Sequence, residues 1–313
     1  MQTSSNINSP AAAEPIPTAK LRKPLWQRVL SNWSVRIGGA VLCLLVVMSV
    51  CAPWLGTIDP VAMDPSSANF LPGTRAEFND LSGDSFEHYF FMGTDSLGRD
   101  TWSRIAYGAR ISITVGIAVA CLALACGMVL GIAAGYFRRL DNIIMRVMDS
   151  VMAIPSILFA ITLMALWRPT ILTVIVAITI PEIPRVARLV RSVVLTIREE
   201  SYVEAAISLA TPTLKILWRH ILPNAIAPLL VQGTYVCASA ILVEAILSFL
   251  GVGLPPDIPT WGNIMADGRM QFNQFPQTVL FPGIFLALTV LSVNILGDGL
   301  RDTLDPKFNK RGG

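Results

Sequence analysis

Six stretches of this chain read as bilayer spans, the fourth only when extended through charged residues, and that excludes most other folds. A span needs roughly 20 mostly apolar residues. Residues 37–58 carry no charge, nor do 111–137 or 150–167. Residues 169–181 are uncharged but short, and reach span length only if extended to about 190, through Glu182, Arg185 and Arg188. Residues 225–243 are uncharged, the run resumes after Glu244, and 277–297 closes the set. The spans are therefore placed at 35–56, 108–137, 147–167, 169–190, 225–250 and 277–298. With 53% hydrophobic and only 14% charged residues, the balance is that of a membrane protein. The expected fold is an all-α integral membrane bundle of six transmembrane helices.

Lysine and arginine in the flanks set the orientation. The segment 56–104 carries Arg75, Arg99 and Arg104 against eight acids, which marks it as outside. Lys20, Arg22, Lys23 and Arg28 precede the first span. Arg138, Arg139 and Arg146 mark the next turn as cytoplasmic, as Arg185, Arg188, Arg191 and Arg198 do for the approach to residue 201. Arg301, Lys307, Lys310 and Arg311 do the same for the C-terminal tail, so both termini are expected in the cytoplasm. The net charge of +3 is this bias, not a nucleic-acid footprint. Residues 1–34 form a cytoplasmic tail, 35–300 the membrane domain and 301–313 a second tail. Residues 1–18, rich in Ser, Asn, Ala and Pro, are expected to be disordered. They are too polar for a signal peptide, and 37–58 is too long for one and lacks a clear cleavage site, so it reads as a retained span.

Between the fourth and fifth spans, residues 201–224 form a polar, helix-forming loop. Ser201 and Glu204 have capping-box spacing. Thr211 before Pro212 predicts a second helix start, with a hydroxyl N-cap and proline at the first helical position. Pro223 is expected to stop that helix. Glu204-Ala205-Ala206, the small Ala210 and Ile221-Leu222-Pro223 resemble the EAA loop of bacterial ATP-binding-cassette importer permeases. The resemblance implies a coupling helix seated in a groove of the ATPase subunit, with Ser201, Glu204, Ala205, Ala206, Ala210 and Pro223 as its coupling residues. The family usually has glycine where this chain has Ala210, and often isoleucine where it has His220. Alanine allows close approach but takes left-handed backbone angles less readily than glycine.

Three further stretches carry the resemblance. Gly93-Thr94-Asp95-Ser96-Leu97-Gly98-Arg99-Asp100, with Ser103-Arg104 and Gly108-Ala109-Arg110, is similar to the segment before the second span in the peptide-importer branch. That branch serves dipeptide, oligopeptide, glutathione and some nickel systems. Ser248-Phe249-Leu250-Gly251-Val252-Gly253 with Trp261-Gly262, and Gly297-Asp298-Gly299-Leu300-Arg301-Asp302 with Leu304-Asp305-Pro306, are similar to the same branch. The chain thus resembles the C-type permease subunit of a peptide importer. The resemblance implies a type I importer permease (MetI-like) fold in the bacterial cytoplasmic (inner) membrane. It also implies a homologous permease forming a heterodimer, two ATPase subunits that hold the ATP, and an extracytoplasmic solute-binding protein. Read without the family, Gly93 to Asp100 is a polar turn rich in glycine and aspartate, suited to capping the second span. Residues 251–259 form a Gly/Pro loop, and 262–278 lie on the outer face, where a binding protein would dock.

No GxxxxGK[ST] loop cradles a phosphate in this chain. Leu81-Ser82-Gly83-Asp84 faintly echoes an ATPase signature, but it is incomplete and lies in the outer loop. Without a nucleophile elbow or an H-E-x-x-H, no enzyme chemistry is expected, and the chain itself should hold no cofactor. Cys43, Cys51, Cys121, Cys126 and Cys237 all fall in apolar spans, as small hydrophobes do. His88 and His220 lie on opposite sides of the expected membrane, so a metal site is not expected.

Charges in hydrocarbon face a bundle interior or water. Glu182, between Pro181 and Pro184, is a candidate for lining the solute path, or else pairs with Arg185 or Arg188. Glu244 either meets a substrate ammonium group or bonds to neighbouring helices. Asn294 reads as helix–helix glue, and Asp149 as an interfacial helix-start residue. The leading reading is a transport subunit moved by ATPases through the 201–224 loop. The alternatives are a secondary transporter, which would need internal repeats and broken-helix ion sites, and a membrane enzyme, which lacks a nucleophile–base set.

Overall fold

The computed structural model describes residues 25–80 and 83–304. The expectations for residues 1–18, Leu81, Ser82 and the tail beyond Leu304 lie outside the described residues. The order is α1 (Leu25–Ser31), α2 (Trp33–Val50), β1 (Thr74–Asn79), β2 (Ser85–Phe90), α3 (Thr101–Tyr136), α4 (Arg138–Met152), α5 (Ser156–Leu166) and α6 (Ile171–Arg198). Next come α7 (Ser201–Ser208), α8 (Thr213–Ile216), α9 (Leu222–Phe249), α10 (Trp261–Gly268) and α11 (Gln277–Leu304).

The centre of the bundle is α3 against α6, its most extensive packed pair. Gly127, Gly131 and Gly135 line one face of α3 at four-residue spacing, opposite Val186, Val190 and Val194 of α6. The constant offset means that the two helices run parallel. A Cβ on Gly127, Gly131 or Gly135 would lie 2.5, 2.6 or 2.7 Å from the facing valine Cβ. Small residues at this spacing let backbones approach where lipid supplies no hydrophobic drive between helices. Helix α9 crosses the same face of α3 antiparallel, with Gly116 against Ile241 and Gly233 against Leu124. Helix α11 lies on α9 and α2 on α11. One end of the bundle carries the β-hairpin and α10; the other carries α7 and α8.

The six-span expectation is only partly met. Four helices are long and apolar enough to cross a membrane among the described residues: α2, α3, the continuous run Thr213–Phe249, and α11. The bent pair α4–α5, broken by 83°, makes up to five. Pro155 explains the break, since it has no N–H to continue the ladder and its ring blocks the preceding turn. The apolar run at 147–167 is therefore one bent pair, and Asp149 sits in the last turns of α4 rather than at a helix start. Helix α6 is long enough, about 42 Å at 1.5 Å per residue, but Glu182, Arg185 and Arg188 fall within it.

Other boundaries also move. Helix α3 starts at Thr101, not 108, because Asp100 caps it: its Oδ2 accepts from Ser103 N at 2.8 Å. Helix α2 ends at Val50, short of 56, and α11 runs on to Leu304. The helical bundle also carries a β-hairpin. Thr74–Asn79 pairs antiparallel with Ser85–Phe90, Thr74 opposite Phe90 and Asn79 opposite Ser85. Phe78 and Phe90 point inward and Arg75, Glu77 and Glu87 outward, the alternation of a half-buried hairpin.

Candidate functional site

The 201–224 loop stands clear of the bundle on three buried anchors. Val203 of α7, Ile216 of α8 and Ile221 are 0%, 1% and 0% exposed and join the core formed by α3, α6 and α9. The apolar residues around them face out: Tyr202, Ile207, Leu209, Leu214 and Trp218 are all exposed. Ser201, Glu204, Ala205, Ala210 and Pro223 are also exposed, and Ala206 is half-buried against the core. A cavity of about 540 Å³ beside the loop is lined by Glu204, Ile207, Gly135, Arg138 and Arg198.

The local geometry differs from the expected caps. Glu200 is the N-cap of α7, without a side-chain cap bond, so Ser201 and Glu204 are one position out of register for a capping box. Pro212 occupies the N-cap of α8, and Thr211 instead closes α7: its N–H donates to Ala206 O at 3.1 Å, and Ala210 N–H to Ile207 O at 2.9 Å. This is a Schellman closure, and it puts Ala210 at φ +54°. Alanine takes the left-handed position that glycine usually fills. Pro223 does not end the second helix either. A π-helical turn, Leu217–Ile221, joins α8 to α9, and Pro223 lies in the first turn of α9. The wider turn stands where the proline disturbs the backbone ladder.

Arginines on the second half of α6 tie it to α4. Arg191 grips Asp141 with two bonds, Nε–Oδ1 at 2.5 Å and Nη2–Oδ2 at 2.7 Å. Arg188 Nη2 donates to Asp149 Oδ1 at 2.5 Å. Sequence reasoning missed both pairs, because 50 and 39 residues separate the partners. Arg185 Nη1 donates to Glu182 Oε1 at 3.2 Å and Oε2 at 3.3 Å. Ser239 of α9 donates to Glu182 Oε1 at 3.4 Å. Glu182 itself is buried; the guanidinium beside it is half exposed.

Glu244 is fully buried near the hairpin end of α9. Ser248 Oγ donates to its Oε1 at 2.8 Å and Ser112 Oγ to its Oε2 at 3.4 Å. It joins α9 to α3. The segment Gly93 to Asp100 forms a cap of the same kind. Asp95 accepts from Arg99 Nε and Arg104 Nη1, each at 2.7 Å. Asp267 of α10 accepts from the same two arginines at 2.7 and 2.8 Å. Gly98 permits the turn at φ +74°, since a Cβ there would meet Asp64 O at 1.8 Å. Asp64 is buried beneath it. Burial pushes its carboxyl up, but bonds from Asn79 N–H, Ser66 and Ser67 outweigh that and hold it at about 2.

Residues 127–310 match the family model described as the binding-protein-dependent transport system inner membrane component. Residues 21–72 match the N-terminal transmembrane domain of oligopeptide transport permease C. The chain is 50% identical over 277 residues to the probable peptide ABC transporter permease protein y4tQ of Sinorhizobium fredii, covering 88% of this chain and 90% of that one. It is 38% identical over 302 residues to the dipeptide transport system permease protein DppC of Alkalihalophilus pseudofirmus, covering 96% and 95%. A chain of the inward-facing MetNI methionine ABC transporter shares the fold, with a TM-score of 0.52 at 16% identity, over 64% of this chain and 96% of that one.

Proposed function

The chain belongs to the family of binding-protein-dependent transport system inner membrane components, and on that premise we propose that it is the C-type permease subunit of an ATP-driven importer of peptides or peptide-like solutes. It forms half of the path with a homologous permease, spans the bacterial inner membrane six times with α6 as its fourth crossing, and has both termini in the cytoplasm. The ATP is held by two ATPase subunits, and an extracytoplasmic binding protein delivers the solute. The peptide relatives support the substrate class. The chain is not itself an enzyme.

One observation carries the coupling role. The α7–α8 loop is fixed from beneath by Val203, Ile216 and Ile221 while Tyr202, Ile207, Leu209, Leu214 and Trp218 face out. A short helix held rigidly, with apolar side chains turned away from its own core, suits a groove in another subunit. Such a lever transmits work only through contacts that differ between two states. The lever reading predicts that Glu204→Lys or Ala205→Trp abolishes uptake while membrane insertion survives, and that ATPase subunits are lost on purification. Normal uptake with retained ATPase subunits in both variants sinks the assignment.

A further inference from the structure

On the second half of α6, Arg185, Leu189, Ser192 and Thr196 are spaced by four, three and four residues and share one face. Arg185, Ser192 and Thr196 are exposed along it. The first half of the same helix packs against α3, α5 and α9, with Val174, Ile175, Ala177, Ile178 and Thr179 buried and Leu172 exposed at its start. The exposed stripe therefore begins at Arg185, near the middle of a helix about 42 Å long. A half-exposed guanidinium at that depth is costly against lipid tails and faces the bundle interior or water. The serine and threonine hydroxyls below it satisfy their own donors inside the helix, Ser192 to Leu189 O and Thr196 to Ser192 O, and leave their oxygens outward.

Leu189 of this stripe also lines a cavity of about 690 Å³ between α6, α9 and α11, with Asn224, Pro228, Gln232, Tyr235 and Arg301. Along α9, Tyr235 is one turn from Ser239, which bonds Glu182. Stripe and cavity meet at Leu189 and form one trough, from the Glu182–Arg185 pair at mid-depth to the end that carries α7, with Pro223, Ala227, Val231 and Leu304 making much of the cavity wall apolar. Glu182 engages only Nη1 of Arg185, and Nε and Nη2 make no hydrogen bond among the described residues.

Building on the importer reading, we infer that this trough is the chain's wall of the solute path, and that Arg185 is its anion contact. Glu182 holds the guanidinium from behind, and its free N–H groups meet a carboxylate of the passing solute. A guanidinium fork matches that group in shape and charge.

The test uses the whole importer in proteoliposomes, with Cys43, Cys51, Cys121, Cys126 and Cys237 replaced by alanine. Single cysteines at Arg185, Ser192 and Thr196 should react with a small water-soluble thiosulfonate, and the reaction should slow when the ATPases are trapped with ATP and vanadate. Arg185→Gln should lower uptake of an acidic peptide about tenfold, the loss of one charged hydrogen bond, with normal yield and normal ATPase stimulation by the loaded binding protein. Arg185→Lys should retain most uptake. Modification of Arg185→Cys by an aminoethyl reagent should restore uptake, and a sulfonatoethyl reagent should not. Unreactive cysteines at all three positions mean that lipid or the partner permease covers the stripe, and overturn the path. Reactive cysteines with unchanged uptake in Arg185→Gln overturn the anion contact. A wild-type complex that takes up no peptide defeats the importer reading instead, and leaves the accessibility result standing.

Discussion

Ala210 sits at φ +54° to close the Schellman turn between α7 and α8, so Ala210→Gly should tighten that turn. A left-handed L-residue costs about 1–2 kcal/mol. Glycine removes that cost but loses about 0.5–1 kcal/mol more conformational freedom on ordering. The net gain is about 0.5–1 kcal/mol, or two- to fivefold in a local opening equilibrium. No side chain stands in the way, because Ala210 is exposed. The readout is amide hydrogen exchange at Ala210 and Thr211, whose N–H groups donate to Ile207 O and Ala206 O. After correction for intrinsic rates, the glycine variant should slow exchange at residue 211 two- to fivefold in the assembled complex. Ala210→Val should accelerate it, because a β-branched residue is an outlier at positive φ. Equal protection in all three proteins would refute the left-handed closure.

Three further outcomes follow from the same geometry. Gly135→Ala places a Cβ 2.7 Å from Val194 Cβ and should destabilise the subunit by about 1–3 kcal/mol; adding Val194→Gly should recover part of the loss, read as non-additive thermal midpoints. Glu244→Ala should lower the yield of assembled subunit, since each membrane hydrogen bond lost is worth about 0.6–1.7 kcal/mol, whereas Glu244→Gln should keep both yield and uptake. Asp64 is held at about 2, below its unfolded value, so its contribution to the hairpin cap is complete above about pH 4 and is lost as pH falls through about 2. Asp64→Asn should flatten that acid transition in a pH series of hairpin exchange protection.

Much of the fold lies in plain view in the sequence, because uncharged runs of span length have few alternatives. Where the reading stops short, the cause is non-local. Glu182, Arg185 and Arg188 make α6 look like a poor span, and only the structure shows Arg188 neutralised by Asp149 and Arg191 by Asp141. Residues 147–167 read as one straight span, and only the structure shows the 83° break that Pro155 makes within it. Cap spacing misleads at Ser201 and Thr211 because each position serves a neighbouring role, the first as an ordinary first-turn residue and the second as the closure of α7. The glycine ridge at 127, 131 and 135 is legible as a repeated GxxxG, yet its valine partners are not. The Asp95–Arg99–Arg104–Asp267 cluster includes an aspartate from α10 that no local pattern connects to the other three.

The central claim, that α7 and α8 form the ATPase-side lever of a membrane permease, is tested most directly by side-specific labelling of whole cells. In the cysteine-free background, a cysteine at Ser208, exposed at the end of α7, should react with a membrane-impermeant maleimide only after permeabilisation. A cysteine at Gln274, in the segment between α10 and α11, should react in intact cells. Labelling of Ser208→Cys in intact cells would contradict the orientation and the coupling role together.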